Sequence, residues 1–147
     1  MADLNSNQVC NICCIHYNAG LRCCALGSLV EGGYLFNKSG RQAWIVSCFS
    51  RQVSRTWDLI ADAVTVAEAS NACGDWFVPS RTDLQLGHDC KSFWDSFSST
   101  SYWSSTECNA TYAWSVNFTE GGSGSGFICT RAKTTASCVR AFRRVLY

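Results

Sequence analysis

In Ala113-Trp114-Ser115-Val116-Asn117-Phe118-Thr119 the apolar Trp114, Val116 and Phe118 alternate with Ser115, Asn117 and Thr119. A repeat of two residues sends alternate side chains to opposite faces, so the stretch reads as a half-buried β-strand. Tyr102-Trp103-Ser104 precedes it as another short strand. After it, Gly121-Gly122-Ser123-Gly124-Ser125-Gly126 reads as a flexible hairpin tip, and Phe127-Ile128-Cys129 and Ser137-Cys138-Val139-Arg140-Ala141-Phe142 as two further strands.

Upstream the period changes. Trp57, Ile60, Ala61, Val64 and Ala67 follow helical spacing, which predicts a first helix from Thr56 to about Ala72-Cys73-Gly74. Pro79-Ser80-Arg81-Thr82-Asp83 then predicts a second helix, with Ser80 capping its N–H groups and Asp83 near its positive end. Leu86, Cys90, Phe93, Trp94 and Phe97 would share one face of it. Before both helices, Tyr34-Leu35-Phe36 and Gln42-Ala43-Trp44-Ile45-Val46 flank Asn37-Lys38-Ser39-Gly40, the pattern of a hairpin. A hairpin, two helices and a run of strands is an α+β order: two helices packed on short antiparallel strands.

The chain has 147 residues, 47% hydrophobic and 16% charged, which excludes a disordered chain and fits one domain. Its net charge of +1 gives no field for nucleic acid, and no stretch is long and apolar enough for membrane insertion. The charge is uneven. No acidic residue follows Glu120, whereas Arg131, Lys133, Arg140, Arg143 and Arg144 do; they are expected to pair with carboxylates elsewhere in the domain.

Cysteine usage divides the chain. Of 11 cysteines, Cys10, Cys13, Cys14, Cys23 and Cys24 crowd into residues 1–29, a Cys-rich N-terminal arm without sustained periodicity; residues 30–147 read as the domain. The arm's cysteines with His16 would suit a zinc site, disulfides within or between chains, or free thiols; the spacing matches no standard metal motif. The opening MADLNSNQV carries no basic n-region or apolar h-region, so no secretory signal is expected. A search for nucleophiles finds Cys90 two residues from His88, facing away from it on a helix, and Ser104, Ser105 and Thr106 with no nearby histidine. No enzyme is expected.

Gly32-Gly33-Tyr34-Leu35-Phe36, Gly74-Asp75-Trp76-Phe77-Val78-Pro79-Ser80, Tyr102-Trp103-Ser104-Ser105-Thr106-Glu107, Ala113-Trp114-Ser115-Val116-Asn117-Phe118 and Cys138-Val139-Arg140-Ala141-Phe142-Arg143 occur in that order. Together they resemble a domain of unknown function whose members include the C-terminal domain of the Legionella collagen-like adhesin. The family's usual Arg-Leu-Pro-Thr is replaced here by Phe77-Val78-Pro79-Ser80, which keeps the turn and cap and removes a basic residue.

The resemblance implies a C-type lectin-like domain, as found in bacterial adhesins and phage virion proteins, with recognition carried by loops rather than by catalytic groups. A virion protein made in the host cytoplasm and oxidised after lysis would reconcile many cysteines with no signal. Its partners would be other virion proteins, through interchain disulfides of the arm, and a host-surface glycan; copies would assemble as a homo-oligomer. A purely structural cement or joining protein and a bacterial adhesion module are the alternatives. Tyr102, Trp103, Glu107, Asn109 and Tyr112 are the candidate ligand-binding residues. A lectin-like fold would also favour disulfides Cys73–Cys138 and Cys108–Cys129, and could hold Ca2+ through Glu107, Asn109, Asn117 and Glu120.

Overall fold

The computed structural model describes residues 24–30, 32–70, 75–120 and 124–146. It is a mixed α+β fold, mostly sheet, with two α-helices among the described residues. The strands are β1 (Leu29–Val30), β2 (Gly33–Ser39), β3 (Gln42–Ser47), β4 (Val53–Arg55), β5 (Ser101–Glu107), β6 (Tyr112–Asn117), β7 (Ile128–Ala132), β8 (Ser137–Val139) and β9 (Phe142–Leu146). The helices are α1 (Asp62–Ser70) and α2 (Arg81–Asp89). The strands form a four-stranded sheet, β1-β2-β3-β9, and a five-stranded sheet, β4-β8-β5-β6-β7.

The hairpin expected at Tyr34–Val46 is β2 and β3, extended at both ends and turned at Gly40, whose φ of 60° suits glycine. Gly33 is required for another reason: a Cβ there would lie 2.1 Å from the Val46 carbonyl oxygen. Residues 24–28, read as part of the arm, are tied to this sheet. Gly27 N–H donates to the Leu35 carbonyl at 2.7 Å, Leu35 N–H donates to the Ser28 carbonyl at 3.0 Å, and Leu29 pairs with Tyr34.

The first helix starts later than its periodicity suggests. Trp57–Leu59 is a 3-10 turn and α1 begins at Asp62, because Trp57 is held by the sheet. Its N–H donates to the Lys133 carbonyl at 3.0 Å and its indole N–H to the Ser104 carbonyl at 2.9 Å. The expected end near Cys73 and Gly74 lies outside the described residues. At α2 the cap is as read, with Ser80 Oγ accepting from Asp83 N–H at 3.2 Å. The helix stops at Asp89, however, followed by a 3-10 turn, Lys91–Phe93. Trp94 therefore reaches the core from extended backbone rather than from a helical stripe.

The last predicted strand is two strands. β8 pairs with β4, and with β5 in parallel through Tyr102 and Cys138; after Arg140-Ala141 the chain joins the other sheet, where β9 pairs with β3. Between the sheets lies an aromatic core centred on Trp94, whose ring is 5.3 Å from that of Phe118, 5.8 Å from Phe142 and 6.1 Å from both Phe36 and Tyr102. α2 seals this core at Gly87, where a Cβ would lie 2.6 Å from the Phe142 ring. On the opposite face of the five-stranded sheet, Trp103, Ala113 and Val139 pack with Ala63 of α1. No helix among the described residues is long and apolar enough to cross a membrane.

Candidate functional site

Glu107 ends β5 and Tyr112 begins β6, so the turn between them, residues 108–111, brings Glu107, Asn109 and Tyr112 to one end of the five-stranded sheet. Asn109 shapes the turn: its Oδ1 accepts from Thr111 N–H at 2.9 Å and Tyr112 N–H at 2.8 Å, a local alternative to the ladder that asparagine favours. The end of β7 is pinned alongside, with Lys133 N–H donating to the Thr111 carbonyl at 2.9 Å. Tyr112 remains 44% exposed.

Two cation–aromatic pairs flank this turn. Lys133 Nζ donates to Glu107 Oε2 at 2.5 Å and lies 4.7 Å from the Trp57 ring centre. Arg81 stacks at 4.6 Å over Trp114, and its N–H donates to Thr106 Oγ1 at 3.0 Å. Trp57 packs with Ala113, whereas Trp114, the next residue along β6, points to the other face. This end of the sheet therefore offers a carboxylate, an ammonium and the Trp57 ring on one face, and a guanidinium over the Trp114 ring on the other. Such groups suit a polyhydroxylated ligand, whose hydroxyls take the charged groups and whose C–H faces take the rings. In this ion pair the Lys133 side chain is largely covered and Glu107 is more than half exposed.

Three of the five expected ligand residues, Glu107, Asn109 and Tyr112, are thus together at the surface, and two are not. Tyr102 and Trp103 are both fully buried. They lie in β5, paired along both edges by β8 and β6, and their side chains enter the clusters packed on opposite faces of the sheet. Tyr102 enters the Trp94 core, its hydroxyl accepting from Ser98 N–H at 2.8 Å and donating to Gln52 Oε1. Trp103 donates its indole N–H to the Arg55 carbonyl at 2.9 Å. The residues that sequence reasoning missed are Trp57, Trp114, Arg81 and Lys133. The two tryptophans read as core stripes, and only the tertiary fold puts a cation over each.

The calcium set does not assemble. Asn117 is four residues along β6 from Ala113, the partner of Glu107, which separates them by about 13 Å along the strand. The oxygens are also engaged: Glu107 by Lys133, Asn109 Oδ1 by two amides, and Asn117 Oδ1 by Thr119 N–H at 2.9 Å. Glu120 is tethered elsewhere, its N–H donating to Ser99 Oγ. Among the described residues no three of His, Cys, Asp and Glu form a metal-binding group.

Cys108 and Cys129 are both exposed free thiols, not a disulfide. Cys129 is opposite Ser115 on β7 while Cys108 follows β5, so two strand spacings, about 10 Å, already exceed the reach of a disulfide. Cys138 is likewise a free thiol, accepting from Gln52 Nε2 at 3.4 Å; Cys73, its expected partner, lies outside the described residues. Burial pushes the thiols of Cys48, Cys90 and Cys138 up from their ordinary range. Cys10, Cys13, Cys14 and Cys23, with their alternatives of zinc, disulfide or thiol, also lie outside the described residues.

The C-terminal cations find partners in the domain. Arg140 pairs with Asp95 at 2.7 Å and Arg143 with Asp75 at 2.5 Å, Arg144 lies 5.0 Å over the Trp44 ring, and Arg131 donates to Ser101 Oγ at 3.3 Å. One further contact escaped the sequence reading because it joins residues 37 apart: His88 Nε2 and Ser125 Oγ are 3.0 Å apart. Burial, with Lys91 adding to it, holds the His88 pKa below its ordinary value. Asp89 Oδ1 is 3.5 Å from His88 Nδ1, which is buried without a hydrogen bond, so no Ser-His-Asp relay is complete. The contact instead fixes the β6–β7 connection on α2, where a Cβ on Gly126 would lie 2.8 Å from the imidazole.

Comparison with protein-family models and with curated proteins finds no match for this chain.

Proposed function

We propose that this protein is a non-enzymatic, C-type lectin-like recognition module of a phage virion, contacting host-surface glycan through the β5–β6 hairpin end. The observation that carries the reading is the pair of cation–aromatic contacts, Lys133 on Trp57 and Arg81 on Trp114, set on either side of Glu107 and exposed Tyr112. Rings and hydrogen-bonding charges gathered at one end of the sheet, one pair on each face, fit a sugar better than an apolar or polyanionic ligand.

The placement of the chain ends supports an anchored module. Lys38 Nζ donates to the Cys24 carbonyl at 2.5 Å, and Leu146 pairs with Gln42. Lys38 and Gln42 bracket the β2–β3 turn, so both described ends of the chain meet at one end of the four-stranded sheet. An N-terminal arm joined to neighbouring virion proteins through its cysteines would leave from that end.

The test is glycan-array binding of the full-length protein and of Tyr112→Ala. Selective glycan binding that Tyr112→Ala reduces at least tenfold, with the melting temperature unchanged, supports the reading. Absence of glycan binding by wild-type protein overturns it and favours the structural cement or joining protein.

A further inference from the structure

β7 is an edge of the five-stranded sheet, and it lacks the devices that usually protect an edge. Phe127 is 61% and Ile128 40% exposed, Cys129 and Thr130 are exposed, and the stretch contains no proline, bulge or charge before Arg131. The direction of its backbone groups follows from the two ends of the β6–β7 ladder. Asn117 N–H donates to the Phe127 carbonyl at 3.0 Å and Lys133 N–H to the Thr111 carbonyl at 2.9 Å. Odd-numbered residues of β7 therefore bond inward to β6, and Ile128 and Thr130 direct their N–H and C=O groups outward. Ala132 also faces out, but its carbonyl already accepts from Thr135 N–H.

We propose that this edge is a self-association surface, on which β7 of a second copy pairs antiparallel about Cys129 and the two Cys129 thiols join as an interchain disulfide. The register is the argument. Pairing about Cys129 sets Ile128 of each copy against Thr130 of the other, and thereby uses every outward donor and acceptor of both residues. Centring on Ile128 leaves Thr130 unpaired within β7, and centring on Thr130 sets Ile128 against Ala132, whose carbonyl is taken. In the chosen register Phe127 faces Arg131 of the second copy, so no like charges are opposed. The two Cys129 residues then occupy a non-hydrogen-bonded position, where Cα atoms are about 4.5 Å apart, within the span a disulfide bridges. A surface that complements itself closes as a two-fold dimer.

The oxidation needs a low-molecular-weight disulfide such as oxidised glutathione. One Cys129 thiolate attacks it, forming a mixed disulfide and releasing one glutathione thiolate. The Cys129 thiolate of the second copy then displaces the other, leaving the protein disulfide and two reduced glutathiones. The proposal does not depend on glycan binding and concerns a different strand from the recognition surface.

The experiment treats full-length protein with oxidised glutathione, alkylates the remaining thiols, and identifies linked peptides by mass spectrometry beside a non-reducing gel. Thr130→Pro keeps the thiol but removes one outward donor, and Ile128→Lys puts a charge on the edge at an exposed site, in case the proline variant does not fold. The expected result is a dimer in which the Cys129–Cys129 peptide predominates, falling at least tenfold in either folded variant. The proposal is overturned if Cys129 links chiefly to an arm cysteine, if it forms no interchain link, or if both variants cross-link through Cys129 as readily as wild type, which would mean random collision of exposed thiols.

Discussion

Arg140 and Asp95 form an ion pair at 2.7 Å in which the arginine side chain is wholly buried. The guanidinium also donates to the Ser47 carbonyl from Nε at 3.0 Å and from Nη2 at 2.6 Å, and to the Ser96 carbonyl from Nη1 at 2.5 Å, with the Trp94 ring 4.9 Å away. One side chain thus ties the break between β8 and β9 to the end of β3 and to the segment carrying Trp94. Removing it would strand a carboxylate and a buried carbonyl, so Arg140→Met is expected to destabilise the fold by roughly 3–5 kcal/mol. Arg140→Lys, which keeps a charge but not the planar fork, should lose less. Urea unfolding followed by tryptophan fluorescence measures both, and a loss below about 1 kcal/mol for the methionine variant would contradict this role.

His88 makes stability depend on pH. Burial lowers its native pKa below the ordinary 6.5, and Lys91 acts in the same direction, while Asp89 opposes them. Above 6.5 the imidazole is neutral in both states. As pH falls below that value the unfolded chain takes up the proton first, so the stability present at neutral pH is progressively lost. The urea midpoint of wild type should therefore drop between pH 7.5 and pH 5, and His88→Gln, which does not titrate, should drop less. Equal slopes for the two proteins would rule out His88 as the source.

Two glycine substitutions separate packing from backbone strain. Gly33→Ala would push a Cβ to within 2.1 Å of the Val46 carbonyl oxygen, a backbone atom that cannot rotate away. Gly40 has a φ of 60°, but an added Cβ there meets no atom within 4 Å. Gly40→Ala should cost about 1 kcal/mol through left-handed backbone strain, and Gly33→Ala clearly more, because the β2–β3 pairing must open. Melting temperatures of the two variants in one buffer decide the order.

Thiol reactivity should follow burial. Exposed Cys108 and Cys129 are expected to alkylate first at pH 8, and Cys48, Cys90 and Cys138 much later, since burial both shields their thiols and raises their pKa values. Timed alkylation with peptide mapping gives the order directly. Early labelling of Cys138 would mean that β8 is less well packed than its contacts indicate.

At the hairpin end, Tyr112→Ala and Glu107→Gln should leave thermal stability within about 0.5 kcal/mol of wild type, as expected for exposed positions. Trp103→Ala, in the covered strand, should lose about 3–5 kcal/mol. Circular dichroism melts of the three variants test the distinction between surface and core aromatics on which the recognition site rests.

Local chemistry was legible from the sequence. The Ser80 cap and the hairpin around Gly40 depend on residues a few positions apart, and both formed as read; the strand at Ala113 also formed, as Tyr112–Asn117, but with Ser115 fully buried, because this strand is central and covered on both faces rather than half-buried. Half of the candidate site was legible in the same way, since Asn109 closes its own turn and thereby presents Glu107 and Tyr112. The other half joins residues far apart in the chain: Trp57 with Lys133, Arg81 with Trp114 and His88 with Ser125. No local pattern records these contacts.

What the sequence determined by itself was therefore the type and order of the main elements and the alternation of side chains along each strand, not where the helices start and stop or where the last strand breaks in two. Which strands are central was decided only by the tertiary structure. Tyr102 and Trp103 fall in a strand with neighbours on both sides and cover on both faces, whereas Ile128 and Cys129 fall on a sheet edge. The reason is physical: a period of two fixes which side chains share a face, but covering that face or pairing that edge requires contacts with distant segments.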